Sequence, residues 1–443
     1  MKEVLANTPI DYNLVKQKIK ESKLTNVGRA SIREIKSLIN AIETECGTKF
    51  IRMEMGVPGL PASKIGVEAE INALANKGIA NSYPNIEGIP ELKREISRFV
   101  NLFLDIDVPE KCCVPCTGST NGSFISFLTI ERIDKNKDTV LFLDPGFPVH
   151  KQQINVLGIK QLSLDVYKCR GEELGEKLES MLIEGNVSCL LYSNPNNPSW
   201  ICFTENELKI IGGLCTKYDV IPIEDLAYFN MDFRKDYSKP GMPPHQPTVA
   251  KYCDNYIILI SSSKIFSYAG QRIGCVVVSE NLFNKDYPDL LRNYTSTNFG
   301  HSLIYGASYA VSAGVTHSTQ YAFAALLKAV NDGDYNFIDD VKVYGERAKS
   351  MKKMFTQNGF NIVYSHDDGN PIADGFYFTV SYPGFSGEGL IEELLYYGIS
   401  AISLSNTGSL QKEGIRACVS LVSDKQLPEL EARLRLFNDN HKN

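Results

Sequence analysis

The sequence predicts an α/β protein, a mainly parallel sheet flanked by helices, joined to a smaller α+β domain. Three observations lead there. Six short apolar runs recur between residues 139 and 279: TVLFLD (139–144), IKQLSL (159–164), SCLLYS (188–193), VIPIED (220–225), YIILIS (256–261) and IGCVVVS (273–279). They are rich in Val, Ile and Leu with little polar alternation, as strands buried on both faces should be. Helical text fills the gaps, for example Glu172 to Ile183 and Thr204 to Lys217, which is the rhythm of crossover helices between parallel strands. Beyond about residue 320 the pattern changes to a long helix (about 320–357), GFYFTVSY at 375–382, a helix near 387–397 and GIRACVS at 414–420.

The earlier elements follow in order. Residues 1–50 read as helical and polar, and Ser31 with Glu34 forms a capping box for a helix through Ile35, Leu38 and Ile39. Gly56, Pro58, Gly59 and Pro61 break that pattern into an irregular crossing. The division expected is residues 1–60 as a segment joining the small domain, 61–318 as the large domain and 319–443 as the small C-terminal domain. The stretch 233–247, with four prolines, reads as an exposed loop or flap.

At 443 residues the chain suits two lobes better than one core. Hydrophobic residues make up 43% and charged residues 22%, an ordinary globular balance. The formal net charge is −6 and no basic stretch is long enough to track a phosphate backbone, so nucleic acid is not expected as a partner. The apolar runs fall short of the roughly 18 residues of a membrane span, so no membrane partner is expected. The N-terminus, MKEVLANTPIDYNLVKQK, carries charge throughout and lacks a signal-type apolar core, which predicts a cytoplasmic protein. Eleven cysteines then read as free thiols. Cys113 and Cys116 form a lone CxxC without a second ligand pair, so no metal is expected.

Six segments carry candidate chemistry, each with a plainer alternative. Lys264, in Ser261-Ser262-Ser263-Lys264 after the strand YIILI, sits where poor solvation would free an amine for Schiff-base chemistry. Arg272, eight residues on, offers a fork for a phosphate, and Ser261 a hydroxyl. The segment is equally a surface lysine on a serine-rich turn. Asp225 ends VIPIED where open α/β sheets bind ligands, with Tyr228 three residues later. It is also a common helix N-cap. Asn194-Pro195-Asn196-Asn197-Pro198 is first a turn signal, although an amide there could donate to a ligand oxygen. Thr117-Gly118-Ser119-Thr120-Asn121-Gly122 opens an apolar helix with free N–H groups suited to a phosphate. Phe147 in DPGFP could stack on a flat ring or belong to the core. Arg416 in GIRACVS needs an anionic partner, either a substrate carboxylate or an internal carboxylate.

In that order GSTNG, DPGFP, NPNNP, EDLAY, SSSK, GQRIG and GIR resemble the class I/II aminotransferases of fold type I, over nearly the whole chain from Ser31 to Arg416. The resemblance implies a large domain with a seven-stranded, mainly parallel sheet and pyridoxal 5′-phosphate (PLP) as cofactor. It implies a Schiff base on Lys264, Asp225 at the pyridine nitrogen, and Tyr228 and Asn197 at the ring oxygen. It further implies Phe147 against the ring and Ser119, Thr120, Ser261 and Arg272 around the phosphate. Tyr83 resembles the tyrosine that reaches the neighbouring subunit's phosphate, so a homodimer with shared active sites is expected. Gly56, Asn197 and Arg416 would meet the substrate carboxylate.

The activity implied is ping-pong transfer of an amino group from an L-amino acid to a 2-oxo acid. A PLP-dependent lyase (β-elimination) or decarboxylase uses the same cofactor residues and is the alternative. The chain departs from the family's usual Asn-Pro-Thr-Gly at Ser199-Trp200, and Ser403-Leu404-Ser405-Asn406-Thr407 replaces its common proline-glycine turn. Both departures border the expected substrate site.

Overall fold

The computed structural model describes residues 8–442, which fold as two compact units. The larger comprises Leu60–Asn196 and Cys202–Val341. Of the described residues, the smaller comprises 8–59, the short segment Asn197–Ile201, and 342–442.

The larger unit is built on a seven-stranded sheet, as the resemblance implied. Its spatial order is Cys113–Cys116, Gly274–Val278, Ile257–Ser261, Ile221–Leu226, Val187–Ser193, Thr139–Asp144 and Lys160–Asp165. The last five run parallel, and Gly274–Val278 is antiparallel to both its neighbours. Residues such as Val140, Phe142, Leu191, Ile223, Leu259 and Val276 pack its core. Burial of each such side chain contributes about 1.5–3 kcal/mol. The helix Glu205–Lys217 starts at Thr204, whose hydroxyl accepts from Glu207 N while the Glu207 carboxylate accepts from Thr204 N.

Two strands differ from expectation. Lys160–Asp165 has one neighbour and is largely exposed, so its apolar text marks an edge and not a strand covered on both faces. Cys113–Cys116, read from sequence as a lone CxxC, is a fully buried strand at the other edge. Pro115 is tolerated there because an edge strand has a side on which no ladder N–H is required.

The helix expected over 320–357 is three helices, His317–Asn331, Phe337–Val341 and Val343–Gln357, interrupted where Gly333 takes a φ of 80°. The first packs on Lys64–Asn76 and Pro90–Leu104, which keeps it in the larger unit.

The smaller unit has a four-stranded antiparallel sheet in the order Ile402–Ser403, Ile415–Cys418, Tyr377–Ser381, Asn361–Ile362. The N-terminal part joins it through the parallel pair Ile51–Arg52 and Ile399–Ser400. The Ser31 capping box is present and starts the helix Ile32–Cys46, which buries Ile35, Leu38, Ile39 and Ile42.

Candidate active site

In the larger unit the parallel strands deliver Asp144, Ser193, Asp225 and Ser261 to one carboxyl edge of the sheet. Ser193 pairs with Asp225 across that edge. Gly274 pairs with both Ser261 and Cys116, which brings the start of the helix Ser119–Ile130 to the same edge.

Asp225 is buried, and its Oδ1 accepts a hydrogen bond from Ala227 N at 3.1 Å. Burial pushes its carboxyl up to about 7, against the lowering influence of the Ala227 N–H and the Lys264 charge. Lys264 lies on the single turn Ser262–Ile265, whose preceding residue, Ser261, accepts from Ser263 N. Beside Asp225 is a residue the sequence reading missed. His150 Nε2 is 3.6 Å from Asp225 Oδ2, just beyond hydrogen-bond range. Burial pulls its imidazole down to about 4, so it stands there neutral and the contact is not an ion pair. Its Nδ1 has no hydrogen-bond partner. Phe147 meets the His150 ring edge-on, with centroids 5.5 Å apart. Tyr228, buried, follows Asp225 in the turn that ends the strand.

A second cluster forms at the start of Ser119–Ile130. Gly118 has a φ of 76°, and a Cβ placed on it would fall 2.5 Å from Arg272 Nη2. The guanidinium thus lies directly against the start of the helix whose first two residues are Ser119 and Thr120. Arg272 Nη1 donates to Ala269 O at 3.1 Å and, at the limit of range, to Ser263 Oγ at 3.5 Å. No carboxylate pairs with it among the described residues. A cation laid against the positive end of a helix is repelled unless an anion joins them, which makes this a cradle for an anionic group. Ser263, beside Arg272, was not singled out from sequence.

Buried polar groups hold the strand ends. Glu224, on the opposite face of the strand from Asp225, accepts from Asn194 Nδ2 at 3.4 Å and from Thr248 Oγ1. Burial pushes its carboxyl up to about 7. Gln246 donates to Asn194 O and accepts from Asn230 N, so the proline-rich stretch 233–247 is tied at its end to the NPNNP run. Tyr237 within that stretch is buried, so it is not wholly a surface flap.

In the smaller unit Arg416 is 1% exposed on the strand Ile415–Cys418. Its Nη1 donates to Asn197 Oδ1 at 3.1 Å and its Nη2 to Glu54 O at 2.7 Å. Its Nε is buried without a partner, and its Cζ lies 4.3 Å from the Tyr377 ring centre. The internal salt bridge left open by the sequence is absent among the described residues. The Glu54 carboxylate is taken instead by Arg52 Nη2 at 2.7 Å and by the Ser400 hydroxyl. A buried, unpaired guanidinium costs several kcal/mol, which an incoming carboxylate would offset. Gly56 runs beside the Tyr377 hydroxyl. The remaining candidate, Tyr83, is 93% exposed on the larger unit and joins neither cluster.

The family aminotransferase class I and II matches residues 49–434. A probable aspartate aminotransferase of Methanocaldococcus jannaschii is 25% identical over 343 residues, covering 77% of this chain and 80% of that protein. Glutamate-pyruvate aminotransferase AlaC of Escherichia coli is 26% identical over 53% of this chain, and the chain spans just over half (55%) of that relative's length. Among solved structures, an aminotransferase from Mycobacterium tuberculosis superposes with a TM-score of 0.74 at 17% identity, covering 93% of this chain and 96% of that one. An alanine aminotransferase from Pyrococcus furiosus gives 0.74 at 17% identity, covering 94% and 98%. The lyase and decarboxylase alternative is not favoured by these relatives, all named as aminotransferases. The chain belongs to the class I and II aminotransferase family.

Proposed function

We propose that this aminotransferase carries PLP on Lys264 and moves an amino group from an L-amino acid to a 2-oxo acid in two half-reactions. The observation that carries the reading is the buried Asp225 carboxyl at the carboxyl edge of the sheet, pushed up to about 7 by burial and only partly offset by the Ala227 N–H and the charge of Lys264. The donor set fits the cofactor. Its phosphate suits the Arg272 cradle, and a protonated ring nitrogen would give the buried Asp225 carboxylate a partner beyond the Ala227 N–H.

Lys264 would hold the cofactor covalently, with Tyr228 and Asn197 at its ring oxygen and Phe147 against its ring. Ser119, Thr120, Ser261 and Arg272 would hold its phosphate. When bound, PLP supplies an electron sink for the bond broken at the substrate's Cα. Asp225 keeps a proton on the pyridine nitrogen, and His150 lends that carboxyl a neutral dipole. Lys264 Nζ moves the proton that leaves Cα. Arg416, with Asn197 and Gly56, holds the α-carboxylate, and that grip sets which Cα bond is weakened.

A homodimer with shared sites fits the surface of the larger unit. Val67, Ile71 and Leu74 recur on one face of Lys64–Asn76 and are exposed, as is Tyr83, which would reach the neighbouring subunit's phosphate. Eleven free cysteines fit a reducing, cytoplasmic setting. No helix of the described residues is long and apolar enough to cross a membrane.

The test is the visible spectrum of the purified protein during addition of L-amino acids one at a time. A yellow protein that bleaches with a particular amino acid, and a Lys264→Ala variant that does not, are expected. A protein that takes up no PLP overturns the reading, and one that releases ammonia and pyruvate without bleaching turns it toward a lyase.

A further inference from the structure

The departure at Ser199-Trp200 has a structural counterpart in the smaller unit. Trp200 takes a φ of 68°, a left-handed conformation that residues with a side chain seldom adopt, yet its indole is 0% exposed. Its room comes from Gly375, where a Cβ would fall 1.9 Å from the indole Cε2. The indole meets the Tyr377 ring edge-on, with centroids 6.2 Å apart at 69°. The Arg416 guanidinium also lies against that ring, 4.3 Å from its centre. Three residues before Trp200, Asn197 accepts from Arg416 Nη1 at 3.1 Å, which closes the circuit. The whole segment Asn197–Ile201 accordingly belongs to the smaller unit.

We infer that Trp200 is a positioning residue for the substrate carboxylate: packed into the space left by Gly375, it fixes Arg416 both through the Tyr377 ring and through Asn197. The inference rests on the reading of Arg416 as the carboxylate ligand. A backbone held in a strained region persists only when its surroundings over-determine it. Here the surroundings are the column Gly375, Trp200, Tyr377, Arg416, and its far end is a buried guanidinium with a free Nε. Two of the guanidinium's three nitrogens are already held, so the position of Nε, and of the remaining N–H groups, follows from where Asn197, the Glu54 carbonyl and the Tyr377 ring sit. A carboxylate that takes two hydrogen bonds from a planar fork is sensitive to sub-ångström shifts of that fork.

The test uses the full-length enzyme loaded with PLP and a double-mutant cycle of Trp200→Gly and Gly375→Ala. The probe is the tightest-binding of 2-oxoglutarate, oxaloacetate and pyruvate by calorimetry, with KM and kcat for the amino donor measured alongside. Glycine suits the backbone at position 200, so the turn survives while the column is lost. Trp200→Gly is expected to raise Kd and KM about tenfold with kcat within about threefold of wild type, the mark of lost uniform binding. Gly375→Ala, which collides with the indole, is expected to give the same defect alone and no further loss in the Trp200→Gly background. Trp200→Phe falls between, and it carries the comparison if Trp200→Gly does not fold. Wild-type binding by Trp200→Gly, or losses that simply add in the double variant, overturns the inference. Arg416→Lys separates the two readings. If it too binds like wild type, the carboxylate role of Arg416 falls; if it loses binding while Trp200→Gly does not, only the role of Trp200 falls.

Discussion

His150 Nε2 lies 3.6 Å from the Asp225 carboxyl, with both side chains buried and the imidazole held neutral. A neutral imidazole with its proton on Nε2 would turn an N–H dipole toward that carboxyl. That dipole favours the ionised form of Asp225. Replacing it by His150→Phe leaves the carboxyl with burial and the Ala227 N–H, and its pKa rises further. The acid limb of the kcat/KM profile is expected to move up by about half to one pH unit, with the alkaline limb unchanged. His150→Asn, which restores a donor, should recover part of the shift. An acid limb that stays in place in His150→Phe refutes the role.

Gly118 makes a sharper prediction about the anion cradle. A Cβ there meets Arg272 Nη2 at 2.5 Å, and the backbone φ of 76° disfavours any side chain. Gly118→Ala should therefore push the guanidinium off the helix start without touching Asp225 or Lys264. The affinity for PLP, and for inorganic phosphate as a competitor of its binding, is expected to fall at least about tenfold. The visible absorbance of protein saturated with PLP should stay as in wild type. Unchanged affinity would mean that Arg272 does not hold the phosphate.

The fold was legible where period and punctuation agreed. The apolar runs ending in Asp144, Ser193 and Ser261 are strands within a residue of where their text places them, and Ser31 caps its helix as its spacing to Glu34 requires. Edges were less legible, because exposure depends on the number of neighbours, which Lys160–Asp165 does not encode, and because Pro115 and a length of four hide Cys113–Cys116. In the site, motif residues were readable as spacing along the chain. His150, Ser263 and Tyr377 were not, since each matters through a neighbour distant in sequence or through a turn's geometry. The only signal for His150 was its place one helical turn after Phe147. Trp200 stood out in the sequence as a departure, but its meaning needed Gly375, 175 residues away, to be seen beside it.

Gln246 ties the proline-rich stretch to the NPNNP run through Asn194 O at 3.3 Å and Asn230 N. Gln246→Leu strands both groups without water. Loss of such buried partners costs about 1–3 kcal/mol each, so a clear drop in denaturation midpoint is expected. Faster proteolysis within 233–247 should accompany it. A variant as stable and as resistant as wild type would show that this stretch is held by other contacts.

The raised carboxyl of Asp225 makes the cofactor-free protein pH-sensitive in a definite sense. In the unfolded chain an aspartate titrates near about 3.9, whereas in the fold Asp225 is pushed up to about 7. Between those values the folded state holds the extra proton, so this group's contribution to stability falls as pH rises through the window. Above about 7 the full cost of burying the carboxylate is present. Asp225→Asn keeps an acceptor for the Ala227 N–H but cannot ionise. Glu224 and Glu131, also pushed up to about 7, remain in both proteins and cancel in the comparison. The melting temperature of cofactor-free Asp225→Asn, relative to wild type, should thus climb from about pH 4 to 7 and level off above it. Adding PLP at pH 8 should reverse the order, because the protonated ring nitrogen gives the wild-type carboxylate its partner and gives the amide none. A difference that stays flat with pH, or a PLP-induced rise equal in both proteins, would remove Asp225 from the ring nitrogen.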